Sequence, residues 1–449
     1  MGAVSSDANN NTEEYKNTGS FVPRRFSSTE LQNIPNIAGL EQLATQHSMA
    51  PSLQAFVNLG SEDDMSLAAN YSAASRYALR PRVLRDVSTV DKSTTILQGR
   101  VQLEFPLCIS PFAGCRAVHP SAGECAIAAA AAHAGIVYTV PHWAGTPLKR
   151  IVQQSEATSK NVPLFFQIYP HKPTHDQEGI DRNHMMALLQ YLSQHAPKIA
   201  AVIVTLDTPN NGNREQTYKS QAWLNDLQQQ VGGFPQPACL NEANLPPNPN
   251  PGHSASMTWE DIRWMLLQCR DLNLALILKG IVTAEDAQRA AQLGVHAIVV
   301  SNHGGRQLDG TLGTMEVIEE CVQAVHGFHT EIFVDGGIRR GKDLVKCLAL
   351  GAKCVFVGRP ILWGLSVGGQ DGVTRVLDIF KEEYETVMQL LGCAQTRDVS
   401  RNHVHDRQPQ QQLSHLDSRA HDWWIAASWL VTAAAAFALG RRSVTSKRS

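Results

Sequence analysis

Residues 301 to 310 read SNHGGRQLDG and directly follow the apolar run Ala297-Ile298-Val299-Val300. Imidazole changes charge near neutral pH, so a histidine at the end of a buried strand is suited to proton transfer. His303 is therefore a candidate general base. Asp207, closing the run VIVTLD, can orient and charge-stabilise it, and Arg214 and Arg306 offer guanidinium groups for a carboxylate. Lys279 ends the apolar run LALILK, where an unpaired ammonium would be costly to bury. Beside a phosphate-bearing cofactor the same charge could stabilise an electron-rich ring.

Two further segments, VDGGIRRG from Val334 to Gly341 and FVGRP from Phe356 to Pro360, combine glycines with arginines. Glycines let backbone N–H groups approach a phosphate, a following helix N-terminus attracts negative charge, and Arg339 and Arg359 can pair with its oxygens.

Such residues need a frame, and the chain supplies a rhythm. Short β-rich runs occur at FPLCISP (105–111), GIVYTVP (135–141), PLFFQIY (163–169), AAVIVTLD (200–207), LALILKG (274–280), AIVVSNH (297–303), EIFVDGG (331–337) and CVFVGRP (354–360). Helix-period stretches separate most of them; in TAEDAQRAAQL (283–293), Thr283 and Asp286 form an N-capping pattern. Eight nearly continuous apolar strands alternating with helices predict a closed (β/α)₈ TIM barrel, preceded by a helical segment. Tyr169, Asp207, Lys279, His303, Asp335 and Arg359 all fall at carboxyl ends of strands, which share one face of such a barrel.

Around this core, residues 1–38 read as a disordered, Asn- and Ser-rich tail, with the barrel domain at 39–405. The connection at about 215–258 is long, rich in Pro, Asn and Gly, and expected to act as a lid over the site. Residues 406–421 read as a polar linker. From Trp423 to Gly440 no residue is charged, and Arg441 and Arg442 follow, so 422–441 is expected to be a C-terminal transmembrane helix. That places the chain as a single-pass membrane protein with its catalytic domain facing the cytosol.

A net charge of −2 gives no electrostatic reason to expect nucleic acid. Nine scattered cysteines without a C-x-x-C pair argue for reduced thiols and against a metal site.

SNHGGRQLDG, LILKGIVTAEDA, VTLDTP, FFQIY and VDGGIRRGKDLVKCLALGAKCVFVGRP together resemble the FMN-dependent L-2-hydroxy acid oxidases and dehydrogenases, of the glycolate oxidase type, over about Leu40 to Val404. The resemblance implies FMN across the barrel mouth and oxidation of an L-2-hydroxy acid to the 2-oxo acid. Oxygen is the expected acceptor, giving hydrogen peroxide; another electron acceptor, or a redox-inactive relative of the same fold, is the alternative. It implies that Pro111 and Ala113 lie beside the flavin ring, that Gln167 and Thr205 bond it, and that Ser301 lies against it. Lys279 would stabilise the reduced anionic flavin, while Asp335, Gly336, Gly337, Arg339, Gly358 and Arg359 hold the phosphate end. Arg214 and Arg306 would clamp the substrate carboxylate, Tyr169 would bond the hydroxyl or carboxylate, and Trp143 would wall the pocket. His303 would take the hydroxyl proton as hydride leaves Cα, or the Cα proton in a carbanion route, with Asp207 steadying the imidazolium. A homo-oligomer is implied as well.

The chain also departs from the family pattern. Phe56 stands where the family usually has a carboxylate-binding tyrosine, Pro141-His142 precede Trp143, and Phe112 replaces a threonine. These positions bear on which 2-hydroxy acid is taken and on the acceptor.

Overall fold

A computed structural model describes residues 21–157, 160–173, 178–195, 198–217, 220–231 and 253–407. Eight parallel strands close a barrel: β1 (Leu107–Ile109), β2 (Val137–Val140), β3 (Leu164–Ile168), β4 (Ile199–Thr205), β5 (Ala275–Ile281), β6 (Ala297–Val300), β7 (Glu331–Val334) and β8 (Cys354–Val357). The order follows the chain, and β8 pairs with β1 through Phe356 opposite Cys108. Both faces of these strands are covered, which is why they read as continuous apolar runs rather than alternating ones.

Inward-facing residues such as Phe165, Ile203, Ile277, Val299, Phe333 and Phe356 fill the barrel interior. Ile96, Leu97, Val101 and Leu103 join that cluster from a small antiparallel pair, Thr94–Ile96 with Val101–Leu103. A second, larger apolar cluster lies between the strands and the surrounding helices. Helix Ala284–Leu293 is capped as expected: Thr283 Oγ1 accepts from the Asp286 N–H, and Gly294 in the left-handed region ends it.

The N-terminal segment folds against the barrel through helices Ser28–Gln32, Ile37–Leu43, Pro51–Asn58 and Met65–Ala73. Leu31, Ile37 and Leu40 are buried, so helical, packed structure is present ahead of the boundary expected at residue 38. The apolar side chains among the polar residues, Leu31 above all, pack by the long helix Arg359–Leu391, which is interrupted at Gly368 and Gly369.

The expected membrane-spanning helix needs correction. Among the described residues no helix is long and apolar enough to cross a membrane. The segment 422–441 on which the expectation rested lies outside the described residues, as does the linker from 408. Seven of the 18 residues from Trp423 to Gly440 are alanine, a residue of marginal apolarity, so length without charge was a weak signal. The fold is the barrel with its N-terminal helices, and the expected single-pass anchor and cytosol-facing placement have no support among the described residues. Residues 232–252 of the expected lid also lie outside the described residues.

Candidate active site

A cavity of about 540 Å³ opens at the carboxyl ends of the strands. Of the residues singled out above, Pro111, Ala113, Trp143, Gln167, Tyr169, Arg214, Lys279, His303, Arg306, Asp335, Gly336, Gly337, Arg339, Gly358 and Arg359 line it. Thr205, Asp207 and Ser301 stand one layer behind, each bonded to a lining residue.

His303 is placed by an unusual turn. His303, Gly304 and Gly305 have φ of 59°, 67° and 74°, a left-handed run that swings the chain back immediately after β6. A Cβ at residue 305 would lie 2.5 Å from the backbone N of Leu67, so only glycine lets the loop meet the helix Met65–Ala73. The His303 backbone N–H donates to Ser301 Oγ at 3.1 Å, and its Nδ1 lies 2.9 Å from Asp207 Oδ1. Burial pushes the imidazole pKa down to about 4; Asp207 raises it, and Lys279 lowers it again. Burial also acts to raise the Asp207 carboxyl, but His303 and Lys279 outweigh it and hold the value below the usual carboxylate range. Nδ1–H therefore donates to an ionised carboxylate, and Nε2 is left as an acceptor.

Lys279 Nζ donates to Ser301 Oγ at 2.8 Å and lies 3.5 Å from Asp335 Oδ2. Ser301 thus sits behind the lysine and steadies both it and the His303 loop. Gln167 is fixed at both ends: Oε1 accepts from the His142 N–H at 3.1 Å, and Nε2 donates to Thr205 Oγ1 at 3.0 Å.

The arginines are held in different ways. Arg306 donates to the carbonyls of Phe56 and Leu59, with its guanidinium 4.8 Å from the Phe56 ring centroid and 5.3 Å from that of Phe112. Arg214 donates to Arg306 O and to Gln307 Oε1, both at 3.0 Å. Arg359 donates to Val57 O, Gly304 O and Leu59 O, and burial lowers its pKa to about 10, where it stays cationic at neutral pH. Arg339 lies 4.7 Å from the centroids of both Tyr71 and Trp363 and donates to Tyr71 Oη at 2.8 Å.

Around this cavity Asp335 Oδ1, Asp207 Oδ2 and Ser110 Oγ are buried and have no hydrogen-bond partner among the described residues. Buried oxygens left unsatisfied at a site mark places where a ligand's donors complete the network. Gly336 and Gly337, with φ of 100° and 74°, hold the β7 loop thin beside them.

Sequence reasoning missed several lining residues. His253, Lys172, Asn210 and Asn211 come from connections without periodicity, and no strand-end signal points to them. Behind Tyr169, His142 Nε2 is 3.0 Å from His171 Nε2, and the Tyr169 N–H approaches His142 Nδ1 at 3.4 Å. Burial, with His171, His184 and His253 adding to it, pushes the His142 pKa well below its ordinary value.

The chain matches the family model described as FMN-dependent dehydrogenase over residues 45–406. It is 37% identical to the peroxisomal (S)-2-hydroxyacid oxidase GLO3 of Arabidopsis thaliana, covering 83% of this chain and 97% of that one. It is 39% identical to 2-hydroxyacid oxidase 2 of Homo sapiens, over 81% and 96%, and 35% identical to an L-lactate oxidase of Nostoc, over 84% and 100%. Among solved structures, the flavin-binding domain of baker's yeast flavocytochrome b2 superposes with a TM-score of 0.72 at 28% identity, covering 84% and 87% of the two chains. A mandelate oxidase bound to (S)-2-phenylpropionate gives 0.68 at 32%, covering 83% and 98%.

Proposed function

Because this chain belongs to the FMN-dependent dehydrogenase family, we propose that the cavity holds FMN and oxidises an L-2-hydroxy acid to its 2-oxo acid, with oxygen as the electron acceptor and hydrogen peroxide as the second product. The observation that carries the reading is the His303–Asp207 pair at 2.9 Å, facing the same cavity as the guanidinium groups of Arg214 and Arg306. A base beside a carboxylate clamp is what removal of a proton from a 2-hydroxy acid requires.

The residues present fit the cofactor. Asp335 Oδ1 has no donor of its own and suits a polyhydroxyl chain, while Gly336, Gly337, Gly358, Arg339 and Arg359 make a thin, cationic cradle for a phosphate. Pro111, Ala113, Gln167 and, through Gln167, Thr205 border the place for the ring. When bound, FMN takes up the two electrons of the oxidation.

Arg214 and Arg306 bind the substrate carboxylate, and Tyr169 orients the hydroxyl. His303 Nε2 takes the hydroxyl proton as the Cα–H bond breaks and its hydrogen leaves with the bonding pair, which FMN would accept, while His303 Nδ1–H continues to donate to Asp207 Oδ1. The ionised Asp207 then faces an imidazolium, and that pairing is strongest when the proton has moved. Lys279, braced by Ser301, lowers the basicity of His303 before reaction. With FMN bound, Lys279 would be placed to balance negative charge on it, which would relieve this depression of His303.

The test is the visible spectrum of purified protein. A yellow protein that bleaches anaerobically with an L-2-hydroxy acid, and releases peroxide on re-aeration, supports the reading. Yellow that bleaches without peroxide assigns another acceptor. A protein that takes up no FMN refutes the reading and leaves a redox-inactive relative.

A further inference from the structure

His253 reaches the cavity from the returning end of the long connection after β4, and several contacts dock it there. It forms an antiparallel bridge with His171. The next residue, Ser254, donates its N–H to Pro170 O at 3.0 Å and its Oγ to Gly179 O. The His253 ring lies face to face on Tyr169, with centroids 4.3 Å apart and planes 19° from parallel. With Trp143 and Phe56 it supplies aromatic rings to the lining of the cavity.

Its protonation follows from one bond. Nδ1 is 3.0 Å from Thr208 O, and a carbonyl oxygen only accepts, so Nδ1 carries the hydrogen. Burial is the largest influence on the ring and, with Arg214, holds its pKa below the ordinary value against the opposing effects of Thr208 O and Asp207. A neutral ring with hydrogen on Nδ1 keeps a lone pair on Nε2. That lone pair attracts an O–H or N–H group and repels a carboxylate.

A glycolate- or lactate-sized acid would leave these rings facing water. A flat aromatic side chain would remove ring surface from water on both partners and stack against the wall. We infer that His253 determines the substrate class: the site takes an L-2-hydroxy acid with an aromatic side chain bearing a hydrogen-bond donor, which Nε2 accepts. The inference rests on the 2-hydroxy acid oxidase reading above.

The test compares kcat/KM of the FMN-loaded enzyme for L-lactate, L-malate, L-3-phenyllactate and L-3-(4-hydroxyphenyl)lactate. Wild type should favour phenyllactate over lactate by at least about tenfold, and the hydroxyphenyl acid over phenyllactate by about five- to tenfold. His253→Phe keeps an aromatic ring on Tyr169 and removes the acceptor, so the second ratio should fall to about one while the first persists. His253→Ala should lower both. A wild-type preference for lactate or malate overturns the inference, as does a hydroxyphenyl-to-phenyl ratio that is the same in wild type and His253→Phe. If no acid in the panel is oxidised, it is the oxidase reading that has failed. Should His253→Phe not retain FMN, the wild-type order of the four acids still decides.

Discussion

Asp207→Asn removes one charge from the site and almost no volume. In the wild type, the carboxylate sits 2.9 Å from His303 Nδ1 and is already ionised before the reaction. Once His303 Nε2 takes the proton, the imidazolium and the carboxylate form an ion pair with charge centres about 4 Å apart, worth about 4 kcal/mol at an effective dielectric of about 20. The asparagine amide cannot supply that energy, and its NH₂ competes to donate to Nδ1, which favours the wrong tautomer. Because the pair forms as the proton moves, the loss falls on the chemical step and not on substrate binding. The rate of anaerobic bleaching at saturating substrate, followed by stopped-flow absorbance, should fall about 100- to 1000-fold, and the substrate Kd from the same titration should change less than about threefold. FMN content and Tm serve as controls for folding. The pH profile gives a second check: Asp207 raises the pKa of His303, so the acid limb of the wild type near pH 4 should move lower in the variant. A bleaching rate within about tenfold of wild type, with the cofactor fully bound, would refute the assignment of His303 and Asp207 as a working pair.

Phe56→Tyr places a hydroxyl at the end of a ring that now stacks on Arg306 at 4.8 Å; a hydrogen bond to a substrate carboxylate should lower KM for lactate about tenfold, and an unchanged KM counts against Phe56 as a determinant of substrate choice. Gly337→Ala puts a Cβ 2.0 Å from Asn70 O at a residue with φ of 74°, so the variant should lose at least about 2 kcal/mol of stability in urea titrations and retain less FMN. His303 is held near 4 against about 6.5 in the unfolded chain. Between those values the unfolded chain binds the proton first, so stability falls as pH drops from about 6.5 to about 4, by about 3 kcal/mol, and this contribution is flat below. His303→Asn, which tolerates the left-handed backbone, should show a correspondingly smaller loss in urea midpoints taken across that window.

The eight strands were legible because each is buried on both faces, and their polar ends were legible because a barrel gathers its chemistry where strands stop. Thus Asp207, Lys279, His303 and Asp335 could be read from position alone, and the structure brings them together. Other features depend on contacts that no local pattern records. Arg359 looked like a phosphate ligand, yet its nitrogens also donate to Val57 O, Leu59 O and Gly304 O, bonds that require the N-terminal helices to be docked first. His142, His171 and His253 become one group only when three separate connections meet at Tyr169. Leu31 lies in a polar stretch, and its burial depends on the helix Arg359–Leu391, more than 300 positions later. The C-terminal stretch is uncharged but rich in alanine, so its lack of charge is a weak signal of a membrane span.

The bonds from Arg306 and Arg359 to the carbonyls of Phe56, Val57 and Leu59 also set a timetable for the nascent chain. Val57 and Arg359 are 302 positions apart. At about 5–20 residues per second, a ribosome takes about 15 to 60 s to deliver the arginine after the carbonyl it must meet. During that interval the helix Pro51–Asn58 gains Phe112, Trp223 and Arg306 in turn beside Phe56, but the carbonyl of Val57 still waits for its cation. This wall of the cavity is among the first parts synthesised, and its bonds are completed only by residues made near the end of the barrel. A chain interrupted before residue 306 therefore has neither cation for its N-terminal helix, and one interrupted between 306 and 359 has Arg306 alone.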